Sequence, residues 1–156
     1  MSTTRTRLTA LATGVAGLTA LTLTPAQAVT PPAAATETVV TCGPSGLQAG
    51  LSTRLCAEVT GTTVEFYGTV GLAGPPSPGS PAPAPKELLT TLSAQVVGST
   101  TPPDTRYRQV VFLTAPLEVR GLGGEYPCGS TVRGTFGVAS YPRSASPVAH
   151  EVTLTC

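Results

Sequence analysis

The side chains able to do covalent chemistry are few. His150 is the single histidine, Asp104 the single aspartate, and the glutamates are scattered singly. Nucleophilic hydrolysis needs a base within hydrogen-bond reach of a serine, threonine or cysteine. His150 would have to be that base, with Asp104 or a glutamate to orient it. Yet His150 alternates with Val148, Val152 and Leu154, which puts it on the inward register of a strand. There it reads as a partly buried strand histidine. No serine occupies a G-x-S-x-G elbow, and Ser45, in Gly-Pro-Ser-Gly, belongs to a turn. Gly121-Leu122-Gly123-Gly124 opens no helix and makes no phosphate cradle. The glutamates sit on polar faces rather than as the facing pair that glycoside cleavage uses. The expectation is a protein that is not an enzyme and carries no cofactor.

The cysteines say more. Cys42, Cys56, Cys128 and Cys156 are separated by 14, 72 and 28 positions, with no C-x-x-C pair. That spacing is poor for zinc and reads as two disulfides formed in an oxidising space. The preferred pairing is local, Cys42 with Cys56 and Cys128 with Cys156, each closing one hairpin. A competing scheme joins Cys56 to Cys128 and Cys42 to Cys156. Its long gap resembles the intersheet bridge of immunoglobulin domains, and Tyr126 stands two residues before Cys128, as a tyrosine corner would.

The start of the chain agrees with export. Arg5 and Arg7 precede an uncharged apolar stretch, Leu8 to Leu23, and Ala26-Gln27-Ala28 fits a small-x-small cleavage site. Residues 1–28 read as a secretory signal peptide. The apolar stretch is shorter than the ~20 residues of a membrane span. Residues 29–36 form a Pro/Ala-rich flexible leader, and 37–156 a single domain. Cleavage removes Arg5 and Arg7 from nine Lys+Arg, leaving seven against eight Asp+Glu, a net charge of −1. Such a balance gives no case for nucleic acid or an anionic membrane as partner. The absence of Ile, Asn and Trp, with Lys86 the only lysine, points to GC-rich coding and an actinomycete source. The expected location is extracellular.

The elements that must position everything are strands. Thr53, Leu55, Ala57 and Val59 alternate inward against Arg54, Cys56 and Glu58. Val64, Phe66, Val70 and Leu72 oppose Thr63, Glu65, Tyr67 and Thr69. Ala73 to Lys86 holds six prolines and can be neither helix nor central strand, so it is a long solvated loop. Glu87 to Val97 reads as a strand with Thr90, Leu92, Ala94 and Val96 inward, although its spacing also suits a helix. Arg106 to Thr114 is apolar on both faces near its end, which predicts a central strand. Gly121, Gly123 and Gly124 predict a loop. Val132, Gly134, Phe136 and Val138 face Val148, His150, Val152 and Leu154 across a hairpin. Seven or eight short strands without helical periodicity predict an all-β fold, an immunoglobulin-like antiparallel β-sandwich with two disulfides.

Function is then expected in recognition, as a secreted non-catalytic module that binds a protein or cell-wall ligand. The candidate binding surfaces are the proline-rich loop, the Ser140–Ser146 turn with Tyr141 and Arg143, and the segment Gly121 to Tyr126. The stretch TVVTCGPSGLQAGLSTRLCAEV, Thr38 to Val59, resembles the first disulfide region of the actinomycete subtilisin-inhibitor family. That resemblance implies an alternative role as a serine-protease inhibitor. Its reactive loop would begin at Cys128, with the inhibitory bond near Ser130-Thr131. The whole chain also resembles the small exported proteins of actinomycetes.

Overall fold

The alternating runs become strands because one face of each can be buried and the other left in water. The computed structural model describes residues 37–156, so the expected signal peptide (1–28) and leader (29–36) lie outside the described residues. The strands are β1 (Thr38–Cys42), β2 (Gly46–Gln48), β3 (Leu51–Thr60), β4 (Thr63–Leu72), β5 (Lys86–Val96), β6 (Asp104–Phe112), β7 (Leu117–Glu125), β8 (Thr131–Ala139) and β9 (Val148–Thr153). The addition to the expected count is the three-residue β2, inside a stretch that Gly43, Pro44, Gly46 and Gly50 mark as loop.

One sheet runs β1-β3-β4-β7, with β2 also on β3, and the other runs β6-β5-β8-β9; every pair is antiparallel. β4 lies beside β7 although β5 and β6 intervene in sequence. β5 lies beside β8 although β6 and β7 intervene. This is Greek-key connectivity in an immunoglobulin-like outline. The proline-rich segment carries the chain from β4 to β5 and stays exposed.

Between the sheets lie Phe66, Phe112, Phe136, Leu55, Leu88, Leu92 and Leu122, all essentially inaccessible. Each such side chain contributes ~1.5–3 kcal/mol on burial. Two of the phenylalanines need a glycine opposite. A methyl group on Gly68 would lie 2.4 Å from the Phe136 ring, and one on Gly134 would lie 2.6 Å from the Phe66 ring. Phe66 and Gly68 are two apart on β4, and Gly134 and Phe136 two apart on β8. Each strand therefore offers one ring and one gap, and the two fit reciprocally.

Several expectations need correction. β6 is an edge strand, not a central one. Only Phe112 of its apolar end is buried, while Val111 and Leu113 face water. Gly121, Gly123 and Gly124 lie inside β7 rather than in a loop. The ladder between β4 and β7 shifts register between Phe66 and Gly68, and Gly121 takes φ +115°, a value open to glycine. Cys56 and Tyr67 point away from the core, as their alternation requires, yet both are buried. They are register partners. The Arg120 guanidinium lies 4.1 Å above the Tyr67 ring and bonds Glu58 at 2.8 Å and Glu118 at 3.0 Å. Its hydrogen bond, helped by its charge, holds the Glu58 carboxyl below its usual range.

The cysteines pair locally, Cys42 with Cys56 and Cys128 with Cys156, and the crossed scheme is excluded. Cys42 and Cys56 are direct register partners on β1 and β3, so the cross-link follows from the sheet itself. The second disulfide ties the β7–β8 loop to the chain end, where Gly129 N donates to Leu154 O and Leu154 N to Ser130 O. Each bridge contributes ~2–4 kcal/mol, chiefly by restricting the unfolded chain.

The Gly68→Ala variant is expected to lose ~1–3 kcal/mol of stability through overpacking. Shortening the opposing ring with Phe136→Leu should recover part of that loss in the double variant. Urea unfolding of the two single variants and the double variant measures it; additive losses would refute the interlock.

Candidate binding site at the β8–β9 turn

At one end of the sandwich three segments meet. They are the two-residue turn between β2 and β3, the start of β5, and the turn after β8. What joins them is Gln48, a buried polar side chain. β9 begins at Val148, opposite Phe136, and Pro147 before it has no N–H to continue the ladder. The last part of β8 therefore lacks a strand partner on that side. Gln48 supplies one. Its Nε2 donates to Phe136 O at 3.0 Å and to Thr53 Oγ1 at 2.8 Å, and its Oε1 accepts from Val138 N at 2.9 Å. Thr53 Oγ1 donates in turn to Gly46 O. One amide thus behaves as a strand residue and bolts the β2–β3 hairpin of one sheet to β8 of the other.

The hairpin turn so fixed is Ala49-Gly50, with φ +51° and +79°. A left-handed alanine costs roughly 1–2 kcal/mol and persists only where its surroundings hold it. Here Ala49 is buried, and the Lys86 ammonium donates a hydrogen bond to its carbonyl. On the third segment Ser140 and Arg143 exchange both backbone hydrogen bonds, at 3.2 and 2.7 Å, across Tyr141-Pro142, whose peptide bond is cis. Tyr141 is 100% exposed at the tip of that turn. Together Lys86, Leu89, Gln109, Tyr141, Arg143 and Ser144 line an open concave surface of about 690 Å³.

Tyr141 and Arg143 share this surface; Tyr126 does not. It packs on the core where β7 ends, its N–H bonded to Thr62 O, at the opposite end of the sandwich. Burial, and after it the nearby Asp104 carboxylate, raise its phenol's pKa. Gln48 and Lys86 escaped the sequence reading. Gln48 is one amide in a glycine-punctuated run, and Lys86 closes a proline-rich loop; neither stands in a motif.

The Ser130-Thr131 bond lies where β8 begins. Ser130 donates to Pro127 O through both N and Oγ, Thr131 O accepts from Val97 N, and Thr131 pairs with Thr153. Hydrogen bonds from both neighbours hold this bond within the ladder.

His150 borders a second groove, about 500 Å³, between β1 and β9, with Val39, Thr41, Val59 and Val152. Its Nε2 lies 2.9 Å from Thr41 Oγ1, and burial lowers its pKa. Asp104, on β6, is at the far edge of the sheet whose other edge holds His150. Gly43 passes so close that a methyl group there would lie 3.0 Å from His150 Cβ.

Gln48→Ala should cost ~2–4 kcal/mol, because it strands the buried Val138 N–H and Phe136 C=O; chemical denaturation reads it. The folded state disfavours His150 protonation, so the unfolded state binds more protons below its ordinary pKa of about 6.5. Stability should therefore fall as pH drops below that value, and His150→Asn should lack that part of the loss when thermal unfolding is compared at pH 7 and pH 5. Comparison with protein-family models, with characterised proteins and with solved structures returned no match.

Proposed function

We propose that the chain is an exported, non-catalytic binding module that works in the cell envelope or just outside it. The ligand is held at the end of the sandwich formed by the β2–β3 turn, the start of β5 and the β8–β9 turn. The observation that carries this reading is Tyr141. A large aromatic ring stands wholly in water on a turn whose backbone is closed by paired hydrogen bonds. Such a ring has little conformational freedom to lose and much area to bury, the pattern of a binding anchor. Export is supported by the two disulfides. No helix among the described residues is long and apolar enough to cross a membrane. The inhibitor reading draws no comparable support. A loop entering a protease cleft offers a free extended edge, whereas Ser130-Thr131 is engaged on both sides.

Two measurements test the proposal. Tyr141 makes no packing that its removal could disturb, so Tyr141→Ala should leave stability within ~0.5 kcal/mol. The same change should abolish retention of the mature chain on envelope preparations of an actinomycete. Unchanged retention would move the site elsewhere. Thiol titration of protein recovered from culture medium should find no reactive cysteine; free thiols would count against export.

A further inference from the structure

We infer that this site takes an oxyanion, a phosphate or carboxylate group carried on an extended polymer, between the side chains of Lys86 and Arg143. The inference rests on the proposed binding role of the same surface and names its ligand chemistry.

The geometry points there through Gly50. A methyl group built on Gly50 would lie 4.0 Å from Lys86 Nζ and 4.0 Å from Arg143 Nη1, so the two cationic heads stand no more than about 8 Å apart. Among the described residues neither forms an ion pair; the ion pairs there belong to Arg120 and Arg133. Two like charges converging at one point are a cost unless an anion joins them. The fold nevertheless anchors one of them and brings the other close. The Lys86 ammonium is anchored on Ala49 O, and the Arg143 backbone is held in its turn with the guanidinium exposed. That anchor uses one of the ammonium's donors and leaves others for a ligand, and the guanidinium brings a planar fork. Oxygens of one phosphate or carboxylate, each accepting at ~2.7–2.9 Å, span such a gap.

The surroundings fit the remainder of a chain-like ligand. Gln109 and Ser144 offer neutral hydrogen bonds, while Tyr141 and Leu89, the latter 51% exposed, offer apolar contact. Glu87 borders the same surface, so the local balance is a single positive charge. One such site could not hold a nucleic acid by charge alone, and the need for neighbouring contacts favours a repeating polymer. The left-handed Ala49 belongs to the same construction. Its strained carbonyl is what positions the ammonium, and strain of that kind concentrates at binding sites.

The test titrates the full mature chain with two probes, a poly(glycerol phosphate) chain and poly-glutamate, by calorimetry at low and at physiological ionic strength. Wild type should bind at least one of them, more weakly at the higher salt. The probe preferred tells phosphate from carboxylate. Arg143→Gln should weaken binding about tenfold, and Lys86→Gln/Arg143→Gln should abolish it. Arg143 is exposed, so its single variant should unfold like wild type and keep the test valid even if removal of Lys86 loosens the Ala49 turn. Arg106→Gln, which removes the same charge elsewhere, should leave binding unchanged. No binding of either probe, or equal losses in Arg143→Gln and Arg106→Gln, would overturn the oxyanion site. If in that case Tyr141→Ala still abolished envelope retention, the module reading would stand and only the ligand chemistry would fall.

Discussion

Two aromatic rings and two missing side chains hold this sandwich in register. Phe66 of β4 occupies the space above Gly134 of β8, and Phe136 of β8 occupies the space above Gly68 of β4. Two stacked sheets can slide over a merely greasy interface. They cannot slide when each ring sits in a notch the size of a missing side chain, because any shift drives a ring into backbone. The interlock also sets which ends of the sheets coincide. It places the end of β8 over the end of β4 and, through Gln48, beside the β2–β3 hairpin.

From that alignment the candidate site follows in steps. The end of β8 runs past the start of β9 and presents two backbone groups with no strand to meet them. Leaving them buried and unpaired would cost ~1–3 kcal/mol each. The Gln48 amide meets both and so fastens the hairpin that carries Ala49. The Ala49 carbonyl then fixes Lys86, which in turn lies near Arg143 on the turn that closes β8. The ammonium is set by a chain of hydrogen bonds reaching back to the core. The ammonium half of the site is thus preorganised, and less ordering is left for a ligand to bring about.

The sheet edges carry features that disfavour the addition of another strand. β7 carries the register shift, which breaks its regular row of donors and acceptors. β6 places Arg106 and Arg108 on its inward register, opposite Leu92 and Thr90, so an added strand would bury charge. At the other side β1 is short, and Gly43 of the loop after it and Gly46 of β2 press onto β9. Apolar residues left outside these edges, Val111 and Leu113 of the β6 end, misread as a central strand because composition cannot tell a second buried face from an exposed one.

The amino-acid sequence by itself determined the period-two alternation, the sheet-forming runs and, through residue type, which faces are buried, while the choice of strand over helix for Glu87 to Val97 came from the structure. Val64, Phe66, Val70, Leu92, Val132, Phe136 and Val138 are all legible in this way, because a strand's side-chain direction is a local property. Local pairing of the cysteines was the preferred reading for the same reason, since hairpin neighbours are near in sequence. Tertiary structure alone decided the strand order, the edge position of β6, the passage of β7 through its glycines, and the separation of Tyr126 from Tyr141. It alone brought Lys86 to Arg143 across 57 positions and gave Gln48 a partner on β8. These contacts join segments far apart in sequence, and no local propensity encodes a distance that exists only after the two sheets close on one another.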